Sequence, residues 1–164
     1  ARTAVAVTVL RPNMIYGGGC DRTLSRIAAL AQRFKVMPLP RNATGLRQPV
    51  HVDDLAAAAL ASASAAPSAG RSYDVPGGET LAYFEMIART LAVLHPRPRL
   101  LRLPTPIFRA MVGTARRVGM IDAINSAMLD RLDVDLVFDA TDACRDFGYA
   151  PRAFAPDAAM FVPG

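Results

Sequence analysis

The apolar run of residues 4–10 is the feature that most constrains what this chain can fold into. It is rich in valine and has little polar alternation, which is the pattern of a strand buried on both faces of a parallel sheet. Arg11-Pro12 ends the run, and Gly17-Gly18-Gly19 predicts a loop. Apolar residues at helical spacing follow over residues 24–34, with Asp21 as the predicted N-cap. A strand, a loop and a helix in this order indicate an α/β domain.

The rest of the chain continues the alternation of short strands and helices. We predict a broken strand at residues 36–39, a polar loop up to Arg47, and an extended piece at 136–139. Further strands are predicted at residues 48–52, 72–75 and 99–103, and helices at 55–64, 80–94, from Pro104 onward, 122–131 and 141–147. Asp53 or Asp54 and Thr80 are the predicted N-caps of the first two of these helices. The pattern predicts a single α/β domain over residues 1–164.

Composition narrows the class of protein further. Of the 164 residues 52% are hydrophobic and 20% charged, so the chain can bury a core. No apolar run approaches the roughly 18 residues of a membrane span, and the N-terminus lacks the pattern of a secretory signal, which predicts a cytoplasmic protein. Cys20, Cys144, His51 and His95 show no metal-ligand spacing, so we predict no metal site.

The net charge of +5 rests almost wholly on arginine, because Lys35 is the single lysine. The arginines are scattered and the chain has no tryptophan, so we predict no nucleic-acid partner. Residues 97–117 are the exception, with six arginines and no acid; an anion, a lipid surface and an acidic partner all remain open here. We expect the apolar residues of this segment to pack into the core, which leaves nothing to insert into a membrane: Ile107, Phe108, Met111 and Val112.

The Gly17-Gly18-Gly19 loop does not form a dinucleotide-binding fingerprint. Cys20, Asp21 and Arg22 occupy the positions where G-x-G-x-x-G needs its last spacing and glycine. An acidic residue at this helix start also repels a pyrophosphate. We therefore predict no phosphate cradle in this loop.

Three ordered segments carry a family resemblance: TVLRPNMIYG at residues 8–17, RQPVHVDDLA at 47–56 and YDVPGGE at 73–79. They resemble the C-terminal half of extended or atypical short-chain dehydrogenase/reductases, the NAD-dependent epimerase/dehydratase group. The tail, DLVFD at 135–139 with FGYAPR at 147–152, is similar to an atypical branch related to an accessory subunit of respiratory complex I.

The resemblance implies an α/β fold that is the C-terminal substrate-binding part of a Rossmann-type enzyme. Residues 1–20 are then a late strand and loop of the parent sheet, and residues 21–164 are mainly the substrate-binding subdomain. In the family the N-terminal half holds the cofactor loop and a catalytic Tyr-x-x-x-Lys pair. Here Lys35 has Ala31 four residues before it, so we expect a fragment with no catalytic residue that is inactive by itself. NAD or NADP is then bound mainly by the missing half.

Residue by residue, the resemblance implies a cofactor contact at Arg11 and Pro12, where the turn passes the nicotinamide; Pro12 as a simple strand terminator is an equal alternative. Met14 stands where sugar-nucleotide enzymes commonly have a substrate-binding asparagine, which favours a less polar substrate or an electron-transfer or assembly role. Asn13 is next to it and partly compensates. Tyr16 ends the loop that orients the substrate.

Arg47 matches the arginine that meets the substrate phosphates in sugar-nucleotide epimerases, a contact that suits the guanidinium fork. The alternative is a solvated arginine at a strand edge. His51 completes the predicted substrate-binding set, although a hydrogen-bonded structural histidine fits its apolar neighbours better than a base does. Asp53 and Asp54 fit a helix cap better than acid/base chemistry.

The leading hypothesis is the substrate-binding part of an NAD(P)-dependent oxidoreductase or nucleotide-sugar epimerase/dehydratase. The expected partner is a small molecule such as a nucleotide sugar, and a homo-oligomer is compatible with the family. The alternative is a non-catalytic dinucleotide-binding accessory or assembly protein of the same fold. A third hypothesis, a peripheral membrane or quinone-associated module, rests on residues 97–117.

Overall fold

The computed structural model describes residues 5–19, 21, 23–117 and 131–161. It is a mixed α/β structure in which short strands, mostly in parallel pairs, alternate with helices. The chain divides into two compact units. The first unit comprises Ala1–Asp21, Gln48–Thr80 and Val137–Ala155, and the second comprises Arg22–Arg47, Leu81–Leu136 and Pro156–Gly164. The boundaries drawn from the sequence stay a prediction.

The first unit contains two parallel strand pairs and two helices. Strand β1 (Val9–Arg11) pairs with β6 (Ser72–Asp74), and β2 (Met14–Tyr16) pairs with β5 (Pro49–His51). Helix α2 (Val52–Ser64) follows β5 directly and packs on α5 (Thr141–Phe147), and a 3₁₀ turn, Ala66–Ser68, leads into β6. The core between these helices and β6 consists of Ala58, Tyr73, Val75, Ala143 and Tyr149.

The second unit surrounds a longer parallel pair, β3 (Val36–Pro40) with β8 (Arg99–Leu103). Strand β4 (Leu46–Arg47) is antiparallel to β7 (Leu81–Ala82). The helices are α1 (Leu24–Phe34), α3 (Tyr83–Ala92) and α4 (Thr105–Arg117), with a 3₁₀ turn at Ala158–Phe161. The apolar faces of α1 and α3 are buried, and the aliphatic side chains on them include Leu24, Ile27, Met86, Ile87 and Leu91.

Most predicted elements are confirmed, and β8 and α5 have the predicted bounds. The expectation of a strand over residues 4–10, buried on both faces, is wrong. The strand is Val9–Arg11, and Val5, Val7 and Val9 are 82%, 62% and 45% exposed. In the described chain, only the side of β1 that carries Leu10 is covered, because Leu10 packs against the core of the first unit. Strand β2 lies in what was predicted as a loop, because its hydrogen bonds come from β5, 35 residues away in the register Met14–Pro49. Residues 136–139 form no strand.

The predicted helix caps are wrong. Helix α2 begins at Val52, and its N-cap is His51, whose imidazole accepts a hydrogen bond from Asp53 N, so Asp53 and Asp54 lie in the first turn. The pair β4–β7 shifts the start of α3 to Tyr83, with Ala82 instead of Thr80 as its N-cap. Helix α1 has Thr23 as its N-cap rather than Asp21. Strand pairing thus moved the starts of α2 and α3 away from the locally preferred caps.

Two further predictions concern a C-terminal helix and a membrane-spanning helix. The helix predicted over residues 122–131 falls almost entirely outside the described residues. Within the described ranges, no helix is both long and apolar enough to cross a bilayer.

Asp146 ties α5 to β6 in the first unit and makes stability depend on pH. Its side chain is 6% exposed and accepts hydrogen bonds from Arg145 Nε at 2.8 Å, Tyr73 Oη at 2.7 Å and Arg71 Nη1. The hydrogen bonds from Arg145 and Tyr73 hold the pKa of this carboxyl below its ordinary value of 3.8. A carboxyl whose pKa is lower in the folded state than in the unfolded state stabilises the fold at pH values above the pKa of the unfolded state. This stabilisation is lost as the pH falls through the pKa of the folded state.

We therefore expect Asp146→Asn to lower the unfolding midpoint at neutral pH, and the gap to wild type to shrink as the pH drops below about 4. Thermal unfolding followed by circular dichroism at pH 7 and pH 3 measures this. Glu85→Gln, which removes an exposed carboxylate bonded to Arg89, is the control. A gap of equal size at both pH values would contradict the role of Asp146.

Candidate functional site

A cleft opens in the first unit at the carboxyl ends of β1 and β6. The two strands run parallel and end in register at Arg11 and Asp74. In open α/β sheets, ligands bind beyond the carboxyl ends of the strands. The cleft has a volume of about 420 Å³ and is lined by Arg11, Pro12, Asn13, Asp74 and Phe138. The predicted cofactor-binding residues Arg11 and Pro12 and the predicted substrate residue Asn13 therefore lie together.

Arg11 and Asp74 form a two-point ion pair across the ends of these strands. Arg11 Nε donates to Asp74 Oδ1 at 3.0 Å and Arg11 Nη2 donates to Asp74 Oδ2 at 3.2 Å. The side chains are 59% and 28% exposed, respectively. The carboxylate orients the guanidinium fork, and Arg11 Nη1 lies outside the pair, so the cleft offers a positioned cationic donor beside an anionic acceptor.

Phe138 is held at the cleft by its main chain. Its backbone N donates to Gln48 Oε1 at 2.7 Å, and Gln48 Nε2 donates to Thr80 Oγ1 at 3.1 Å. The ring itself is 40% exposed. Gln48 therefore fixes the segment that supplies an apolar wall to an otherwise polar cleft.

Tyr16 and His51 meet on the neighbouring strand pair, where they are partners in the parallel register. Their rings make an edge contact at 5.1 Å between centroids, and Phe154 contacts Tyr16 in the same way at 4.9 Å. Tyr16 is fully buried; its hydroxyl donates to Ala153 O at 3.5 Å and accepts from Ala155 N at 3.3 Å. Burial raises the pKa of Tyr16, so the phenol is neutral at pH 7. In this structure Tyr16 is a packing residue, and its predicted contact with substrate stays a prediction.

His51 has the surroundings of a structural histidine. It is 7% exposed, and its Nδ1 accepts from Asp53 N at 3.2 Å. Gly17, at φ +93°, packs directly on the imidazole, and a Cβ at this glycine would lie 2.5 Å from His51 Nε2. The glycine is needed here both for its backbone conformation and for its small size. The structural interpretation of His51 is supported, and its place in the substrate set stays a prediction.

The segment of residues 148–155 is bound to the rest of the first unit by hydrogen bonds to acidic side chains, and the sequence did not predict these contacts. Asp54 accepts from Arg152 N and from Arg152 Nε, both at 2.9 Å, and the hydrogen bond to Asp54 raises the pKa of Arg152. Glu79 Oε2 accepts from Phe154 N at 3.1 Å. Asp54 is thus engaged in an ion pair with Arg152.

Arg47 lies in the second unit and is 3% exposed, so the alternative of a solvated strand-edge arginine is wrong. Its Nη1 donates to Leu46 O at 2.8 Å and Val134 O at 2.7 Å, and its Nη2 donates to Arg131 O at 2.6 Å. The guanidinium also lies 5.4 Å from the centre of the Tyr83 ring. Burial raises the pKa of Tyr83 to about 12. This geometry supports a structural arginine, and the predicted phosphate contact stays a prediction.

Sequence reasoning found one side of the cleft and missed the other. Met14 is half-buried in β2, next to the cleft residues in sequence. Asp74, Phe138 and Gln48 were not predicted as site residues. Asp74 did carry a signal, because it lies one residue before the end of the strand predicted at residues 72–75, just as Arg11 directly follows the strand predicted at residues 4–10. Phe138 and Gln48 carried no such signal. Phe138 lies 64 residues after Asp74 in the sequence, and Gln48 contributes only through the hydrogen bond of its side chain to Phe138 N.

Comparison with known proteins places this geometry in a class. No family model matches the chain. A mitochondrial protein of Arabidopsis thaliana, NADH dehydrogenase [ubiquinone] 1 alpha subcomplex subunit 9, is 30% identical over 107 residues, which are 65% of this chain and 26% of that protein. UDP-glucuronic acid 4-epimerase from Bacillus cereus, solved with UDP-glucuronic acid and NAD, superposes with a TM-score of 0.63 at 13% identity, over 91% of this chain and 41% of that one.

A second solved structure agrees. The dTDP-glucose 4,6-dehydratase of Bacillus anthracis, in complex with NAD, superposes with a TM-score of 0.59 at 15% identity, over 88% of this chain and 39% of that one. The chain thus spans less than half the length of each of these relatives. The predicted resemblance is confirmed at the level of the fold: this is an α/β chain with the fold of part of a Rossmann-type NAD-dependent epimerase or dehydratase.

Proposed function

We propose that this chain is the C-terminal substrate-binding part of an NAD(P)-dependent oxidoreductase or nucleotide-sugar epimerase/dehydratase. The observation that carries the proposal is the cleft at the carboxyl ends of β1 and β6, which is lined by both the Arg11–Asp74 pair and Phe138. A fold of this class with a cleft of this kind suits a small polar molecule that has both charge and a flat apolar face.

Each residue of the cleft makes a different kind of contact with the substrate. Arg11 donates to a phosphate or carboxylate of the substrate, and its fork stays aimed because Asp74 holds it. Asp74, 28% exposed, accepts from substrate hydroxyl groups. Phe138 packs against the face of a sugar or base ring. Together they orient the reacting carbon and exclude water from one side of it.

A nicotinamide cofactor, when bound, supplies or accepts the hydride. The residues of this chain fit only one end of such a cofactor, since Arg11 and Pro12 line the cleft while the sequence offers no G-x-G-x-x-G loop for the pyrophosphate. We propose that NAD or NADP is held mainly by protein outside these 164 residues. The proton-transferring Tyr/Lys pair of the family is then outside them too.

A second candidate is a non-catalytic accessory or assembly protein of the same fold that binds a dinucleotide. Two observations favour it. Met14 replaces the amide that sugar-nucleotide enzymes commonly present, and the plant relative at 30% identity is a subunit of an NADH dehydrogenase. In that case the cleft binds a partner's anionic group instead of a substrate that reacts.

Calorimetry on the isolated chain tests the proposal. We expect no dehydrogenase activity, and binding of NAD and NADP weaker than about 1 μM, because the pyrophosphate has no cradle. We expect weak but measurable binding of UDP-glucuronic acid, reduced about tenfold by Arg11→Gln because one charge-assisted contact is lost.

Arg41→Gln is the matched control, since it removes an exposed arginine of the second unit. NAD binding at micromolar affinity or better would overturn the assignment of the cofactor to another part of the protein. Equal affinity of UDP-glucuronic acid for wild type and Arg11→Gln would remove the cleft from the proposal. Absence of any nucleotide-sugar binding would favour the accessory protein.

A further inference from the structure

Charge is distributed very unevenly between the two units. The second unit contains 14 arginines or lysines and six acids, a net charge of +8, whereas the first contains five basic and eight acidic residues, a net charge of −3. The modest +5 of the whole chain therefore conceals a strongly basic unit. Such a unit attracts anionic surfaces over a distance of about a Debye length, roughly 10 Å at 0.1 M salt.

Helix α4 concentrates this charge next to exposed apolar side chains. Phe108 and Val112, one turn apart, face inward and are 5% and 3% exposed. Arg109, Arg116 and Arg117 are exposed on the same helix, which contains no acidic residue. The expectation that all four large apolar residues of α4 pack into the core is wrong for two of them: Ile107 is 56% and Met111 37% exposed.

The helix is shaped to lie flat on a surface. Ile107 and Met111 are four residues apart and therefore share one flank of α4. Ala110 and Arg117 are exposed beside this flank, and the small side chain of Ala110 lets the helix axis approach a plane closely, whereas Arg116 lies on the opposite side of the helix. Phe108 and Val112 thus anchor α4 to its own unit, while Ile107 and Met111 are available to a partner.

We propose that α4 docks the second unit on an anionic phospholipid bilayer, with Ile107 and Met111 inserted at the headgroup boundary and Arg117 against lipid phosphates. Long arginine side chains keep their charged ends at the headgroups while their methylene groups cover apolar surface. Nucleic acid matches the charge but offers nothing to an inserted isoleucine and methionine. The proposal is independent of the function proposed for the cleft, which lies in the first unit.

Flotation with vesicles of phosphatidylcholine, with and without phosphatidylserine, tests the docking. We expect the chain to bind the anionic vesicles in low salt and to float poorly with the neutral ones. Arg117→Gln should weaken binding about fivefold, which is the contribution of one basic residue near an anionic surface, whereas Arg116→Gln should change binding less. Ile107→Gln/Met111→Gln should weaken it about tenfold, because two apolar side chains no longer leave water.

Leu60→Gln is the matched control, because Leu60 is 73% exposed but lies on α2 of the first unit; it should bind as wild type does. All these positions are exposed, so circular dichroism should show each variant folded. A duplex DNA oligomer serves as the competing anion.

Three outcomes would overturn the proposal. The first is no binding to anionic vesicles in low salt. The second is wild-type binding by Ile107→Gln/Met111→Gln, which would reduce the attachment to adsorption by charge alone. The third is binding of DNA that equals vesicle binding and is equally insensitive to that double variant, which would make the surface a nucleic-acid site.

Discussion

Replacing Arg47 by alanine is expected to lower the free energy of unfolding by about 3 kcal/mol or more. The substitution leaves three carbonyl oxygens, those of Leu46, Val134 and Arg131, without the donors that the guanidinium provides at 2.6–2.8 Å. It also opens a void beside Tyr83, because the side chain is 3% exposed. Urea unfolding at pH 7 measures the loss.

Two variants make this result specific. Arg41→Ala removes an exposed arginine of the same unit and should change stability by less than about 0.5 kcal/mol. Arg47→Lys keeps the charge but has no planar fork, so it should recover only part of the loss. If Arg47→Ala instead unfolds like wild type and weakens the binding of UDP-glucuronic acid, the predicted phosphate contact is supported and the structural role is wrong.

Replacing Gly77 by alanine is expected to destabilise the first unit by about 3 kcal/mol, at the upper end of what overpacking costs. A Cβ at this position would lie 1.8 Å from Pro49 O and 2.5 Å from Pro49 C. These are backbone atoms of β5, and Gly77 N donates to the neighbouring Gln48 O at 3.0 Å. The two segments therefore cannot move apart without losing this hydrogen bond. Gln48 also anchors Phe138, so the change should reach the cleft.

Gly113→Ala is the matched control for this substitution. A Cβ there meets nothing within 4 Å, and the position lies inside α4. Since alanine is favoured over glycine in a helix interior, the control should be stabilised by about 0.5–1 kcal/mol. Glycine to alanine is therefore expected to lower the free energy of unfolding at position 77 and to raise it at position 113. A Gly77→Ala variant with the wild-type unfolding midpoint and wild-type binding of UDP-glucuronic acid would contradict the close packing of β5 against this turn.

The membrane and cleft proposals concern different units and need different measurements. A chain that floats with anionic vesicles but binds no nucleotide sugar would fit the accessory protein better than the enzyme. A chain that binds UDP-glucuronic acid and ignores vesicles would fit a substrate-binding part that acts away from the bilayer. Both experiments use the same 164-residue chain.

The predictions from sequence that proved correct depend on neighbours close along the chain. The spacing of apolar residues located α1, α3 and α4, and Pro104 and Gly148 marked where elements begin and end. The order of the three segments at residues 8–17, 47–56 and 73–79 led to the right fold, because turn and strand chemistry at fixed spacing is written in the sequence itself. Arg11, Pro12 and Asn13 were predicted as site residues from the same local motif and line one cleft together, and their roles in binding stay predictions.

The remaining features were decided by contacts between residues distant in sequence. Strand β2 exists because β5 pairs with it, and the caps of α2 and α3 moved because strand pairs reach up to their first turns. The burial of Arg47 depends on carbonyls 84 and 87 residues away, and no local pattern distinguishes it from an arginine that waits for a phosphate.

By itself, the sequence determined an α/β chain with short strands, the fold class, the arginine-rich acid-free segment and one wall of the cleft, since all of these follow from local spacing and composition. Only the tertiary structure decided that Asp74 pairs with Arg11, that Phe138 closes the cleft, and that Ile107 and Met111 face outward. The physical reason is that side-chain burial and ion pairing are properties of the whole packed unit. A helical pattern predicts which residues share a face, but only packing decides how much of that face is covered.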